Sequence, residues 1–311
     1  MKRFLTVLLI AVTAGYSVFA QSAMPAGGND VIDLRSPSFV GGGAHITNLD
    51  DPQTATLNPA VNGLNQRITL DLSYIGLVGM SGIPTAPDRG WKGHGLNLGA
   101  VLPTRYGVLS GTLNFLHSGF QAVETGTFGT LGLVFAKDLF SDFLVGAGMN
   151  FTLGGRDAFD WGLGFDLGVL HLAGDVGFMK DLRWGASLQR MGWGYRPTTD
   201  GWSAPATFTP AAGAAFTVLE NKNFHLELQS DISLPSFQNF RLNLGSTLSF
   251  RDVAKLSTGL RLDVSQLFSD APRRSLIPSF GFSFNFKTDL KEESGFIAEH
   301  GWHRSEGRPQ L

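Results

Sequence analysis

The chain contains no cysteine. Disulfides, thiolate metal sites, cysteine nucleophiles and a lipidated N-terminal cysteine are excluded together. Charge is also scarce: charged residues make up 16% of the 311, against roughly 25% in an average soluble protein. The net charge of −2 gives neither nucleic acid nor an anionic surface a reason to bind the chain as a whole. After the N-terminus, no uninterrupted apolar run reaches the roughly 20 residues of a membrane-spanning helix.

What the chain has instead is glycine, 40 residues of it, and a long alternation of apolar with small polar side chains. Lys2 and Arg3, the apolar run from Leu5 to Val12 with Ala14, and the small-x-small step Val18-Phe19-Ala20 predict a cleaved export signal over residues 1–20. From Arg67 onward the period is two, which sends alternate residues to opposite faces of a strand. Trp161, Leu163, Phe165, Leu167 and Val169 alternate with Gly162, Gly164, Asp166 and Gly168, and Phe280, Phe282, Phe284 and Phe286 with Gly281, Ser283 and Asn285. The runs are about ten residues or longer, the length of membrane-barrel strands rather than of soluble ones.

Alternation alone suits a soluble sandwich or a membrane barrel equally. The polar set decides: it is mostly Gly, Ser, Thr and Asn, which fit a confined lumen, where a water-facing surface would carry many Lys and Glu. The expected fold is therefore all-β, a transmembrane antiparallel β-barrel of about 12 to 14 strands in an outer membrane. Twelve strand starts are counted, near Arg67, Gly95, Val108, Phe128, Phe143, Trp161, Leu182, Phe208, Phe224, Arg241, Leu256 and Ile277. Long connections, Met80 to Lys92, Gly194 to Ala204 and Gln266 to Ser275, then fall on one side, and short ones, Pro103 to Tyr106, Glu220 to Asn223 and Arg251 to Ala254, on the other. His171 to Lys180 and Ile232 to Gln238 fit this parity poorly. Trp91, Tyr106, Trp193, Tyr195 and Trp202 fall near strand ends, where interfacial aromatics belong.

Ahead of the strands, Gly41 to Leu64 combines three successive glycines, an Asp50-Asp51-Pro52 turn and an Asn58-Pro59-Ala60 step. It reads as an irregular plug better than as strand or helix. The organisation expected is a signal at 1–20, a hatch at 21–66, a barrel at 67–287 and a polar tail at 288–311. Asp71, Asp166, Glu227, Arg241, Arg261 and Asp263 project to the inferred inner face, where isolated charges either line a polar pore or hydrogen-bond the plug; anchoring is the expected use, because an open channel would leave Gly41 to Leu64 without a role.

Other chemistry is thin. His300 and His303 lack the further ligands a metal site needs, and the Gly162 to Gly168 glycines lie inside a strand, not at a nucleotide-binding turn. Gly41-Gly42-Gly43 lacks the Lys-Ser/Thr of a phosphate loop. Asp50-Asp51-Pro52 reads as an ordinary Asx turn rather than a calcium site. His225, Ser230 and Asp231 have no Gly-x-Ser-x-Gly elbow. No enzyme, cofactor or metal is expected.

The steps Gly42-Gly43-Ala44, Asn48-Leu49-Asp50-Asp51, Ala55-Thr56-Leu57 and Asn58-Pro59-Ala60 resemble the hatch of the long-chain fatty-acid outer-membrane transporter superfamily. Gly164-Phe165-Asp166-Leu167-Gly168-Val169-Leu170, and Gly185-Ala186-Ser187-Leu188-Gln189 with Met191-Gly192, are similar to strands of its secretion-associated branch. The overall likeness is greatest to the superfamily's uncharacterised spirochaete branch, over about Ser36 to Phe286. Family barrels usually have fourteen strands and end on an aromatic, whereas this chain continues past Phe286 in a charged tail. The resemblance implies passive uptake of hydrophobic small molecules, long-chain fatty acids by class, with external loops capturing the ligand and the hatch shifting near Asn58. It also implies an alternative, a non-transporting barrel that docks exported or surface proteins. The partners expected are outer-membrane lipid and a hydrophobic ligand, or those exported proteins.

Overall fold

The computed structural model describes residues 45–49, 51–79, 90–118, 126–140, 142–155, 159–194, 208–237, 239–251, 253–264 and 279–284. The expected signal at 1–20, Gly42, Gly43, Ala44, Asp50 and the tail at 288–311 lie outside them. So do Tyr195, Trp202, Phe286, His300 and His303, together with the side chains of Trp91 and Asp263.

Twelve antiparallel strands form one sheet in chain order: β1 (Thr69–Gly79), β2 (Gly90–Thr104), β3 (Gly107–Ser118), β4 (Thr127–Phe140), β5 (Phe143–Gly155), β6 (Phe159–Val176), β7 (Met179–Trp193), β8 (Thr209–Glu220), β9 (Phe224–Ser233), β10 (Arg241–Phe250), β11 (Ala254–Asp263) and β12 (Ser279–Phe284). Among the described residues β12 and β1 form no ladder with each other. No described helix is long and apolar enough to cross a membrane, which says nothing about strands.

Two expectations need correction. Met80 to Lys92 is not all loop, because β2 starts at Gly90; its Gly-Trp-Lys-Gly-His start looks like a loop but pairs with β1 from Gly90↔Gly79 onward. His171 to Lys180 is not a long turn either. β6 continues to Val176 and only Gly177 and Phe178 separate it from β7, with Gly177 at φ +61° making the tight turn. With that correction the described hairpin turns at this end are all short.

The hairpins are stepped. Val108 pairs with Ala136, four residues before β4 ends at Phe140, and Phe143 pairs with His171, five residues before β6 ends at Val176. Such a stagger tilts the strands against the line of turns, as a sheet does when it curls. Burial follows the alternation with the usual polarity reversed. Asn97 is 2% exposed and Asp166 3%, while Leu70 is 79% and Leu133 48% exposed. The face covered by the N-terminal segment is polar, and the open face is apolar.

Candidate functional site

Two short stretches of sequence shape the segment at 45–65. Asp51 and Asn58 each precede a proline, and each side chain accepts the backbone N–H two residues on, Asp51 from Gln53 (2.9 Å) and Asn58 from Ala60 (3.1 Å). An Asx cap followed by proline at the first position starts a helical turn. Two 3-10 helices result, Pro52–Thr56 and Pro59–Leu64, where sequence reading expected irregular chain.

The segment is tied to strands far apart in the sheet. Gln53 Nε2 donates to Asp71 on β1 (2.6 Å), Asn62 Nδ2 to Ser110 on β3 (2.9 Å), and Arg183 Nε on β7 donates to the Thr47 carbonyl (2.7 Å). The Ile46 N–H donates to Asp231 on β9 (2.8 Å), whose same oxygen lies 3.1 Å from His45 Nδ1. A flat sheet would put β1 and β9 about 38 Å apart, eight spacings of about 4.8 Å. Ile46 and Gln53, seven residues apart, would reach about 25 Å even if fully extended, and here they are folded into turns. The covered face is therefore concave, wrapped around the segment.

Asn58 sits at the centre. It is fully buried. Its Nδ2 donates to the Ile46 carbonyl and to the Val169 carbonyl of β6, both at 3.1 Å, so one amide joins the two halves of the segment to the sheet. Below it the strands supply a floor of glycines. A Cβ on Gly168 would collide with the Asn58 amide oxygen, one on Gly185 would lie 2.9 Å from its nitrogen, and one on Gly146 would overlap the Pro59 carbonyl carbon. Ala60 and Val61 then pack on Leu144 and Leu170, an apolar seat on a face that mixes polar with smaller numbers of apolar side chains.

The expected inner-face charges are placed as follows. Asp71 is half-buried and holds Gln53. Asp166 accepts from Asn150 Nδ2 (2.7 Å) and from the Arg190 N–H (2.6 Å), so it braces the kink where Arg190 takes φ +57° and β6 and β7 slip register. Glu227 accepts from the Arg183 guanidinium at 2.6 Å, both buried. Arg241 is buried and, with Arg190 and Arg261, lines a cavity of about 30 Å³ next to Ile46 and Leu57. Arg261 Nε also donates to Asn243 (3.1 Å). Asp71 bonds the segment directly, while Glu227 acts through Arg183.

Sequence reasoning missed the strongest anchors, Asp231, Arg183 and Asn62. Alternation puts Arg183 on the polar face, opposite to Leu182 and Trp184, but nothing in the sequence marks which polar residue meets a backbone 136 positions away. A second cavity, about 20 Å³, lies between Thr56 and the polar side chains of Thr112, Asn114, Thr130 and Thr152. Each cavity has room for about one or two waters.

His225, Ser230 and Asp231 do not come together as a hydrolytic set. His225 and Asp231 turn to the covered face while Ser230 is exposed on the other, as alternation along β9 requires. No protein-family model matches the chain and no curated protein matches it, so the role of this segment rests on its geometry.

Proposed function

We propose that the chain is an outer-membrane β-barrel plugged by its N-terminal segment, and that it admits hydrophobic small molecules passively, with long-chain fatty acids as the substrate class. The observation that carries this reading is the reversal of burial. Leu70, Leu72, Leu113, Leu133 and Phe135 are each more than 40% exposed on one face, while Asn97, Asp166 and Thr217 are buried on the other. In water that apolar face would be a severe aggregation liability; in hydrocarbon it is the ordinary outside of a barrel. Trp161 and Trp193, stacked edge to face at 5.0 Å, and exposed Tyr106 mark opposite strand ends, as interfacial belts do.

On this reading the segment is a hatch. The two cavities beside it are too small for a hydrocarbon ligand, so passage along the concave face requires the hatch to shift, and Asn58 is the contact that must break. Purified protein reconstituted in vesicles should speed fatty-acid entry over empty vesicles, and unheated samples should migrate differently from heated ones on gels. Heat-modifiable migration with unchanged flux would retire the uptake and favour the docking barrel; absence of both would remove the barrel itself.

The bilayer face can be tested separately. Leu133, outward and in the middle of β4, is 48% exposed, and Phe140, at the end of the strand, is 73%. Leu133→Arg should cost about 2–4 kcal/mol of folding free energy in vesicles and Phe140→Arg about 1 kcal/mol or less, because the penalty depends on depth. Urea titration gives both values, and equal costs would mean that this face does not meet lipid.

A further inference from the structure

The apolar face of β1 to β4 is not uniform. Register places Leu70 beside Ala100, Ala100 beside Gly111 and Gly111 beside Leu133. In the next row come Leu72, Leu98, Leu113 and Leu131. Ala100 and Gly111 are thus the floor of a well walled by leucines, open to the outside, with a volume of about 500 Å³. Among the described residues nothing demands the glycine: a Cβ on Gly111 would meet only Leu133 at 3.8 Å and the Gly132 carbonyl at 4.0 Å, ordinary contacts. The side chain is missing where it would fill the well.

The two strands that make the floor meet at the Arg105-Tyr106 turn. Thr104 braces this turn, accepting the Tyr106 N–H (3.2 Å) and donating to the Gly107 carbonyl (2.7 Å). The Arg105 guanidinium stacks 4.6 Å from the centre of the Tyr106 ring and bonds its hydroxyl. Arg67 before β1 and Lys137 on β4 are also exposed at this end, with Asp138 the acidic neighbour. A chain of low net charge therefore concentrates cations beside one apolar well. Arg105 is five residues from Ala100, about 16 Å along the strand, close to the ~15 Å half-thickness of a bilayer's hydrocarbon.

We infer that this face binds one anionic membrane phospholipid, its phosphate at Arg105 and an acyl chain in the leucine well over Ala100 and Gly111. The inference rests on the membrane-barrel reading but not on transport. The cations fit the phosphate, and the well fits the chain: its outward side chains are leucines, while Asp71 and Thr112, also in its lining, belong by alternation to the opposite, covered face.

Native mass spectrometry of the full-length protein, with phosphatidylglycerol or phosphatidylcholine of identical chains added, tests it. Wild type should retain one phosphatidylglycerol preferentially. Gly111→Leu should lower retention of both lipids at least fivefold, and Arg105→Gln should lower phosphatidylglycerol alone, by about fivefold, the effect of one interfacial cation. Unchanged retention in Gly111→Leu, or an equal loss of both lipids in Arg105→Gln, would overturn the site, as would a protein partner occupying the face. Each variant is also run unheated and heated on gels: a wild type whose migration does not shift defeats the barrel reading, whereas a shifting protein with unselective lipid defeats only the site.

Discussion

Gly146→Val should drive the N-terminal segment off the concave face and, if the proposed plugged barrel holds, open it to small solutes. The inserted side chain would occupy space now held by the Pro59 carbonyl carbon and, at 2.5 Å, the Ala60 nitrogen. These are backbone atoms, which cannot rotate away as a flexible side chain can. Pro59 also fixes its own φ. Adjusting such overpacking costs typically about 1–3 kcal/mol, so the detached population should rise between about 5- and 150-fold. Protease cleavage within 45–65 reports that population when opening is fast, and conductance in planar bilayers reports the leak. Gly129→Ala is the matched control, because its Cβ would meet only the Asn114 carbonyl, at 3.8 Å. Wild-type protease resistance and conductance in Gly146→Val would mean that the segment is not a plug held by that floor.

The second large effect is expected from Arg183→Met. Arg183 is 6% exposed, and its guanidinium links the Thr47 carbonyl to Glu227, 12% exposed at the side chain. Removing the cation leaves a buried carboxylate whose remaining donor is Gln229 Nε2. Breaking a buried pair in this way costs about 3–5 kcal/mol, whereas replacing both members with apolar residues is often close to neutral. The urea midpoint in vesicles should therefore fall sharply in Arg183→Met and recover in large part in Arg183→Met with Glu227→Met. If the double variant is as unstable as the single, the loss came from the Thr47 contact or from packing, and the pair is not the anchor.

These two predictions concern residues that were unequally legible in the sequence. Arg183 and Glu227 could be assigned to the polar face from alternation, since a strand offers only two faces and every residue takes one of them. Their meeting could not, because β7 and β9 are separated by β8 and the contact depends on how strongly the sheet curls. By alternation alone Gly146, Gly168 and Gly185 are no more than small residues on the polar face. Their specific use, as the floor under Asn58-Pro59-Ala60, exists only when three strands and the segment are together. The segment's 3-10 helices were in principle readable, since Asp51-Pro52 and Asn58-Pro59 both spell a capped turn.

The sequence alone determined the all-β class, the number of described strands, their order of faces and the position of most short turns. That information is local: period two, strand length and turn residues are properties of neighbours along the chain. It failed at Gly90 to Lys92 and at His171 to Lys180, where polar residues continue a strand because pairing with β1 and β7 satisfies their backbone. Tertiary structure alone decided which polar residues hold the N-terminal segment, that Asn58 joins it to β6, and that Ala100 and Gly111 leave a well on the outer face. Those contacts join residues dozens to more than a hundred positions apart, or depend on the exact register between strands. A shift of one residue in that register would turn each of these side chains to the opposite face.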